Sequence, residues 1–99
     1  MDKQDILSFI KTNKKEFQSK FGLDDIALFG SFAKDKATED SDIDILVTYV
    51  ENPGDVYTKK REFKKLLQDY FHRNVDIANE KCLKPFIKDE VLKDAIYVK

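Results

Sequence analysis

Apolar residues along this 99-residue chain recur in two rhythms, and the switches between them mark out its elements. Residues from about 2 to 20 place Ile6, Leu7, Phe9, Ile10 and Phe17 among polar and basic neighbours, the stripe of an amphipathic helix with one packing face. Phe21-Gly22 closes it, since glycine suits the left-handed cap position. Leu23-Asp24-Asp25 then leads into Ile26-Ala27-Leu28-Phe29, a short apolar run expected as a buried strand. The stretch from Ala33 to Asp40 is polar and holds no core pattern, so it is expected as a short helical turn and loop. A second strand runs from Asp42 to about Tyr49 and stops before Asn52-Pro53-Gly54, the strongest turn signal in the chain.

From Asp55 as N-cap, Val56, Phe63, Leu66, Leu67, Tyr70 and Phe71 fall on one side of a long helix, with lysines on the other. His72 just beyond it is expected to end the helix rather than bind metal, having no Cys or second His at ligand spacing. Val75-Asp76-Ile77-Ala78 reads as a third strand. Pro85 fits the first turn of a final helix with apolar positions at Phe86, Ile87, Val91 and Leu92, followed by a short strand at Ile96-Tyr97-Val98. The alternation of helices and strands predicts an α/β fold, a small mixed sheet flanked by helices, in one domain over residues 1–99. Strand order and handedness are left open by the pattern.

The chemistry concentrates at the strand ends. Gly30 lets the chain turn sharply after the first strand, and Ser31 opens a segment whose first N–H groups and hydroxyl would face one anion. Ten residues later stand Asp42-Ile43-Asp44, whose alternation places two carboxylates on one face of the second strand. Like charges so close call for a cation, and an all-oxygen site with room for phosphate suits magnesium. Asp76, central in the third strand, is the third carboxylate chosen, with Asp55 and Asp69 behind it. Ser41, just before the acids, is expected to cap or orient them.

Gly30-Ser31, the ten-residue spacer, Asp42-Ile43-Asp44 and Asp76 together resemble the signature of the DNA polymerase β-like nucleotidyltransferase superfamily. In length the chain is similar to its minimal nucleotidyltransferases, commonly the antitoxin partners of all-helical HEPN-domain toxins. The resemblance implies a polymerase β-like nucleotidyltransferase fold and transfer of AMP from ATP to a hydroxyl acceptor. It implies two Mg2+ ions, with Asp42 and Asp44 holding both and Asp76 the one beside the attacking hydroxyl. Gly30 and Ser31 would hold the β- and γ-phosphates, helped by Lys34, with Ser41 nearby in the nucleotide site. A HEPN-domain partner would carry the acceptor, with a tyrosine hydroxyl expected. Where many relatives have Arg-Gly, three residues after the serine, this chain has Lys34-Asp35, which keeps the charge but not the bidentate fork and adds an acid. The alternative is therefore an antitoxin that neutralises its partner by binding alone.

Composition narrows the setting. The net charge of −1 gives no global attraction to nucleic acid, so direct nucleic-acid binding is not expected. The dense basic run, Lys59, Lys60, Lys64 and Lys65 around the long helix, is most simply a solvated face, with docking of an acidic helical partner as the other reading. The single cysteine, Cys82, excludes an internal disulfide and is expected as a small hydrophobe rather than a reactive or metal-binding thiol. Tyr49, Tyr57 and Tyr70 are expected to pack in the core rather than stack a base. The N-terminal residues lack the apolar core of a signal peptide and no run is long enough to cross a bilayer, so a cytoplasmic protein is expected.

Overall fold

The computed structural model describes residues 1–99 and begins with helix α1, Lys3–Phe21. Asp2 caps it, its carboxylate accepting from the Gln4 and Asp5 amides at 3.0 and 3.2 Å while Asp5 returns a bond to the Asp2 amide. This capping box satisfies N–H groups that the first turn leaves free. Gly22 ends the helix in the left-handed region at φ 65°, as its position predicts. Strand β1 follows at Leu23–Phe29, then the single turn α2 at Gly30–Ala33 and strand β2 at Ile43–Tyr49. Helix α3 covers Val56–Phe71, capped by Asp55 through the Thr58 amide at 3.1 Å and closed by His72 at φ 54°. Strand β3 spans Val75–Asn79, a 3-10 turn Glu80–Cys82, helix α4 Pro85–Asp94 and strand β4 Ile96–Tyr97.

The four strands form one mixed sheet in the order β3-β2-β1-β4. β2 runs antiparallel to β1 and parallel to β3, while β4 lies antiparallel along the outer edge of β1. The parallel pair needs a crossover, and α3 supplies it. One face carries Ile26, Leu28, Ile43, Ile45, Val47, Val75 and Ile77 into the core, where Ile6, Ile10, Phe17 and Phe21 of α1 and Phe63 and Leu67 of α3 meet them. Alternation sends Asp44 and Asp76 to the opposite face. The acids therefore stand on a sheet whose other side is held by the main core.

Several side chains depart from expectation. β1 begins at Leu23, three residues earlier than the apolar run, because Leu23 is buried while a register irregularity leaves Asp24 and Asp25 outside. Helix α4 buries no residue: it meets the fold through partly buried Val91 and Leu92, and Phe86 and Ile87 face solvent. Cys82 is exposed, because it ends the 3-10 turn instead of lying in the core. Tyr57 is exposed on the first turn of α3, and Tyr70 is more than half exposed although its ring stacks on Phe9 at 3.7 Å between centroids. Tyr49 alone of the three tyrosines packs against the core. On the lysine face Lys60 and Lys65 are exposed, Lys65 in a surface pair with Asp69 at 2.9 Å, while Lys59 turns back to donate to the Pro53 carbonyl.

Candidate active site

Gly30 sits where β1 turns into α2, with φ +74°, in the left-handed region that favours glycine. Its neighbour across the sheet decides the matter further. Phe29 pairs in register with Asp44, and a Cβ on Gly30 would lie 2.9 Å from the Asp44 Cγ and closer still to Oδ2. The glycine is therefore required twice, by its dihedral and by the close approach of a carboxylate. Ser31, the second residue of α2, is half-buried beside it.

Asp44 in turn pairs directly with Asp76, because β2 and β3 run parallel with Ile43 opposite Val75 and Ile45 opposite Ile77. Paired residues of a parallel ladder share a face, so the two carboxylates are neighbours. The electrostatics record it. Burial, then the charge of Asp76, then that of Asp42 push the Asp44 carboxyl up to about 6. Asp42 precedes β2 and is exposed, as is Asp76, while Asp44 is half-buried. No three of the chain's acidic, His or Cys side chains stand at the spacing of a ready metal cage. The donors that do meet, Asp44 and Asp76, are carboxylates, the ligand type that magnesium takes together with phosphate oxygens.

The departure at Lys34-Asp35 has a structural counterpart. Asp35 adopts φ 59°, a conformation in which glycine is unstrained and Asp is among the better-tolerated alternatives. Its carboxylate is taken by Lys3 of α1 at 2.9 Å, so much of its charge is compensated locally. Lys34 lines a cleft of about 230 Å³ with Phe29, Gly30, Glu90, Val91 and Asp94, its ammonium 3.8 Å from Asp94. Two acids of α4 thus face the Gly30 turn. Asp55 and Asp69, the reserve candidates for the third acid, belong elsewhere: Asp55 caps α3 and Asp69 pairs with Lys65.

The hydroxyl of Ser41 is engaged within its own loop, where Oγ accepts from the Thr38 amide at 2.8 Å. One residue that the sequence pattern does not single out organises this loop. Arg73 Nη1 lies 3.1, 2.9 and 2.7 Å from the carbonyls of Thr38, Glu39 and Ser41, to which it donates, and the guanidinium lies 5.2 Å from the centre of the Phe32 ring. No local pattern announces it, because its partners lie more than thirty residues away.

A four-stranded mixed sheet, a glycine-serine turn and facing acids on adjacent strands define a protein of the nucleotidyltransferase class. The chain belongs to the family described as nucleotidyltransferase domain, whose model matches residues 10–98, and it is a nucleotidyltransferase of the minimal type. It is 36% identical to the protein adenylyltransferase MntA of Thermococcus cleftensis over 95 residues, 96% of this chain and 94% of that one. A solved structure provisionally described as a minimal nucleotidyltransferase is 30% identical, with a TM-score of 0.77 over 97% of this chain and 95% of that one. The fold is also shared, at 17% identity and a TM-score of 0.64, with a chain from a complex of a tri-AMPylated Shewanella oneidensis HEPN toxin and its MNT antitoxin, covering 94% of this chain and 71% of that one.

Proposed function

We propose that this chain is a magnesium-dependent adenylyltransferase that moves AMP from ATP onto a side-chain hydroxyl of a HEPN-domain helical partner, and so acts as a cytoplasmic antitoxin. The observation that carries the reading is the meeting of Gly30, Asp44 and Asp76: a turn stripped of its side chain stands against one of two carboxylates paired across parallel strands. Repulsion at Asp44 does nothing to stabilise the fold and suits a bound cation, beside which the bare Gly30 turn leaves room for a phosphate.

In the reaction the acceptor oxygen attacks the α-phosphorus, the bond from that phosphorus to the bridging oxygen breaks, and pyrophosphate leaves. Asp42 and Asp44 would hold two Mg2+ ions and Asp76 the ion beside the acceptor; when bound, such ions neutralise charge on the attacking and leaving oxygens. Asp76, which is exposed, would receive the acceptor's proton. Gly30 and Ser31 admit the β- and γ-phosphates close to the backbone, and Lys34 faces the same cleft. Asp35 is paired with Lys3, which offsets part of the negative charge that the departure adds.

The second reading, neutralisation by binding alone, is favoured by Glu90 and Asp94, two acidic residues that line the cleft that phosphates would enter. The two readings part on one experiment. ATP labelled at the α-phosphate is incubated with this chain, Mg2+ and a HEPN partner; transfer of that label, with none from γ-labelled ATP, establishes adenylylation. Neutralisation of the partner with no label transferred establishes the binding role.

A further inference from the structure

Asp42 belongs to no strand, yet its backbone is gripped on both sides. The Ser41 carbonyl before it accepts from Arg73 at 2.7 Å, and the Ile43 amide after it donates to the Asn74 carbonyl at 3.0 Å. The same guanidinium lies near the Thr38 and Glu39 carbonyls and packs over Phe32, the residue that follows Ser31 in α2. One half-buried side chain at the entry to β3 therefore ties together the helix of the Gly30-Ser31 turn, the loop that delivers Asp42 and the strand that delivers Asp76. All three bonds come from the one terminal nitrogen Nη1, while the carbon of the same guanidinium lies over the Phe32 ring, so one group serves both contacts.

We propose that Arg73 is a positioning residue that sets Asp42 against Asp44 and Asp76, and thereby sets the affinity of the acidic cluster for its divalent cation. The inference rests on the functional reading above. Supporting groups behind metal ligands characteristically change metal affinity by about 10- to 100-fold when removed. Arg73 meets no carboxylate of the cluster itself; it acts through the backbone of residues 38–41.

The test measures binding of Mn2+ alone by electron paramagnetic resonance, for the wild-type chain, Arg73→Ala, Arg73→Lys and Asp44→Asn. Arg73→Lys keeps the cation but ends one bond short of Nη1 and lacks the guanidinium that lies over Phe32, so it reads the clamp even where the alanine variant fails to fold. The expected result is Mn2+ binding weakened about tenfold or more in Arg73→Lys, with circular dichroism unchanged. In Arg73→Ala, low-millimolar guanidinium should restore part of the affinity, which a general loss of packing would not allow. The half-saturating metal concentration for AMP transfer should rise while KM for ATP holds.

Wild-type affinity for Mn2+ in Arg73→Lys, with Asp44→Asn impaired, overturns the role of Arg73 and leaves the functional reading standing. Wild-type chain that neither binds Mn2+ nor transfers AMP overturns both.

Discussion

Gly30 and Asp44 are so close that the Asp44 carboxyl group occupies the space a Cβ on Gly30 would need. Gly30→Ala combines that collision with a left-handed dihedral, and each of these carries a cost of order 1–2 kcal/mol. The substitution should lower stability by about 2 kcal/mol and displace Asp44, reducing AMP transfer by about 100-fold or more. Chemical denaturation and initial rates, run on the same preparation, check both halves.

Asp44 carries a pH signature. Its carboxyl titrates near 6 in the folded chain against 3.8 ordinarily, raised by burial, Asp76 and Asp42 in that order. The native state then holds a proton that the unfolded chain has already lost, so without divalent cation stability should fall as pH rises from about 4 to about 6 and level off above. Partial exposure of the group tempers the slope. Asp44→Asn should flatten the curve and raise the melting temperature at pH 7 while abolishing transfer, a trade of stability for function seen where like charges are gathered. Mg2+ should stabilise the wild-type chain, most strongly with ATP, and Asp42→Asn should lose most of that gain. Thermal unfolding across pH, with and without Mg2+, reads every arm.

Asp35 offers a backbone test of the Lys34-Asp35 departure. At φ 59° a glycine is unstrained, whereas alanine lacks both the tolerance of Asp for this region and the bond to Lys3. Asp35→Ala should destabilise by about 1 kcal/mol and Asp35→Gly should be nearly neutral. Equal losses in the two, measured by urea denaturation, would mean that the ion pair with Lys3, and not the dihedral, governs stability at this position.

Tyr49 Oη is buried without a hydrogen-bond partner, and burial followed by the charge of Cys82 raises its pKa. Tyr49→Phe removes an unsatisfied hydroxyl and should stabilise the fold by about 1 kcal/mol with AMP transfer unchanged. A loss of stability on urea denaturation would show that the hydroxyl has a partner in solution.

The elements whose signals are local were legible in the chain. Gly22, Asp55 and His72 mark helix ends through their own dihedrals or through partners within a turn, and the alternation at Ile43-Asp44-Ile45 fixes which side of β2 meets the core. What escaped depends on distant contacts. Periodicity marks Phe86 and Ile87 as an apolar stripe, but whether a stripe is buried depends on what reaches it, and nothing in this fold covers them. Arg73 looks like any charged residue in a turn, since its partners come from a loop that only the β2-β3 pairing brings near. The capping box of Asp2 and Asp5 was readable in principle, as two acids three residues apart before an apolar stripe.

Whether this chain adenylylates a HEPN partner through its acidic cluster is decided by intact-mass analysis of that partner after incubation with ATP, Mg2+ and either the wild-type chain or Asp44→Asn. Whole-number additions of AMP to the partner are expected with the wild-type chain and none with Asp44→Asn. An unmodified partner with the wild-type chain, or equal modification with both, would overturn the proposed activity.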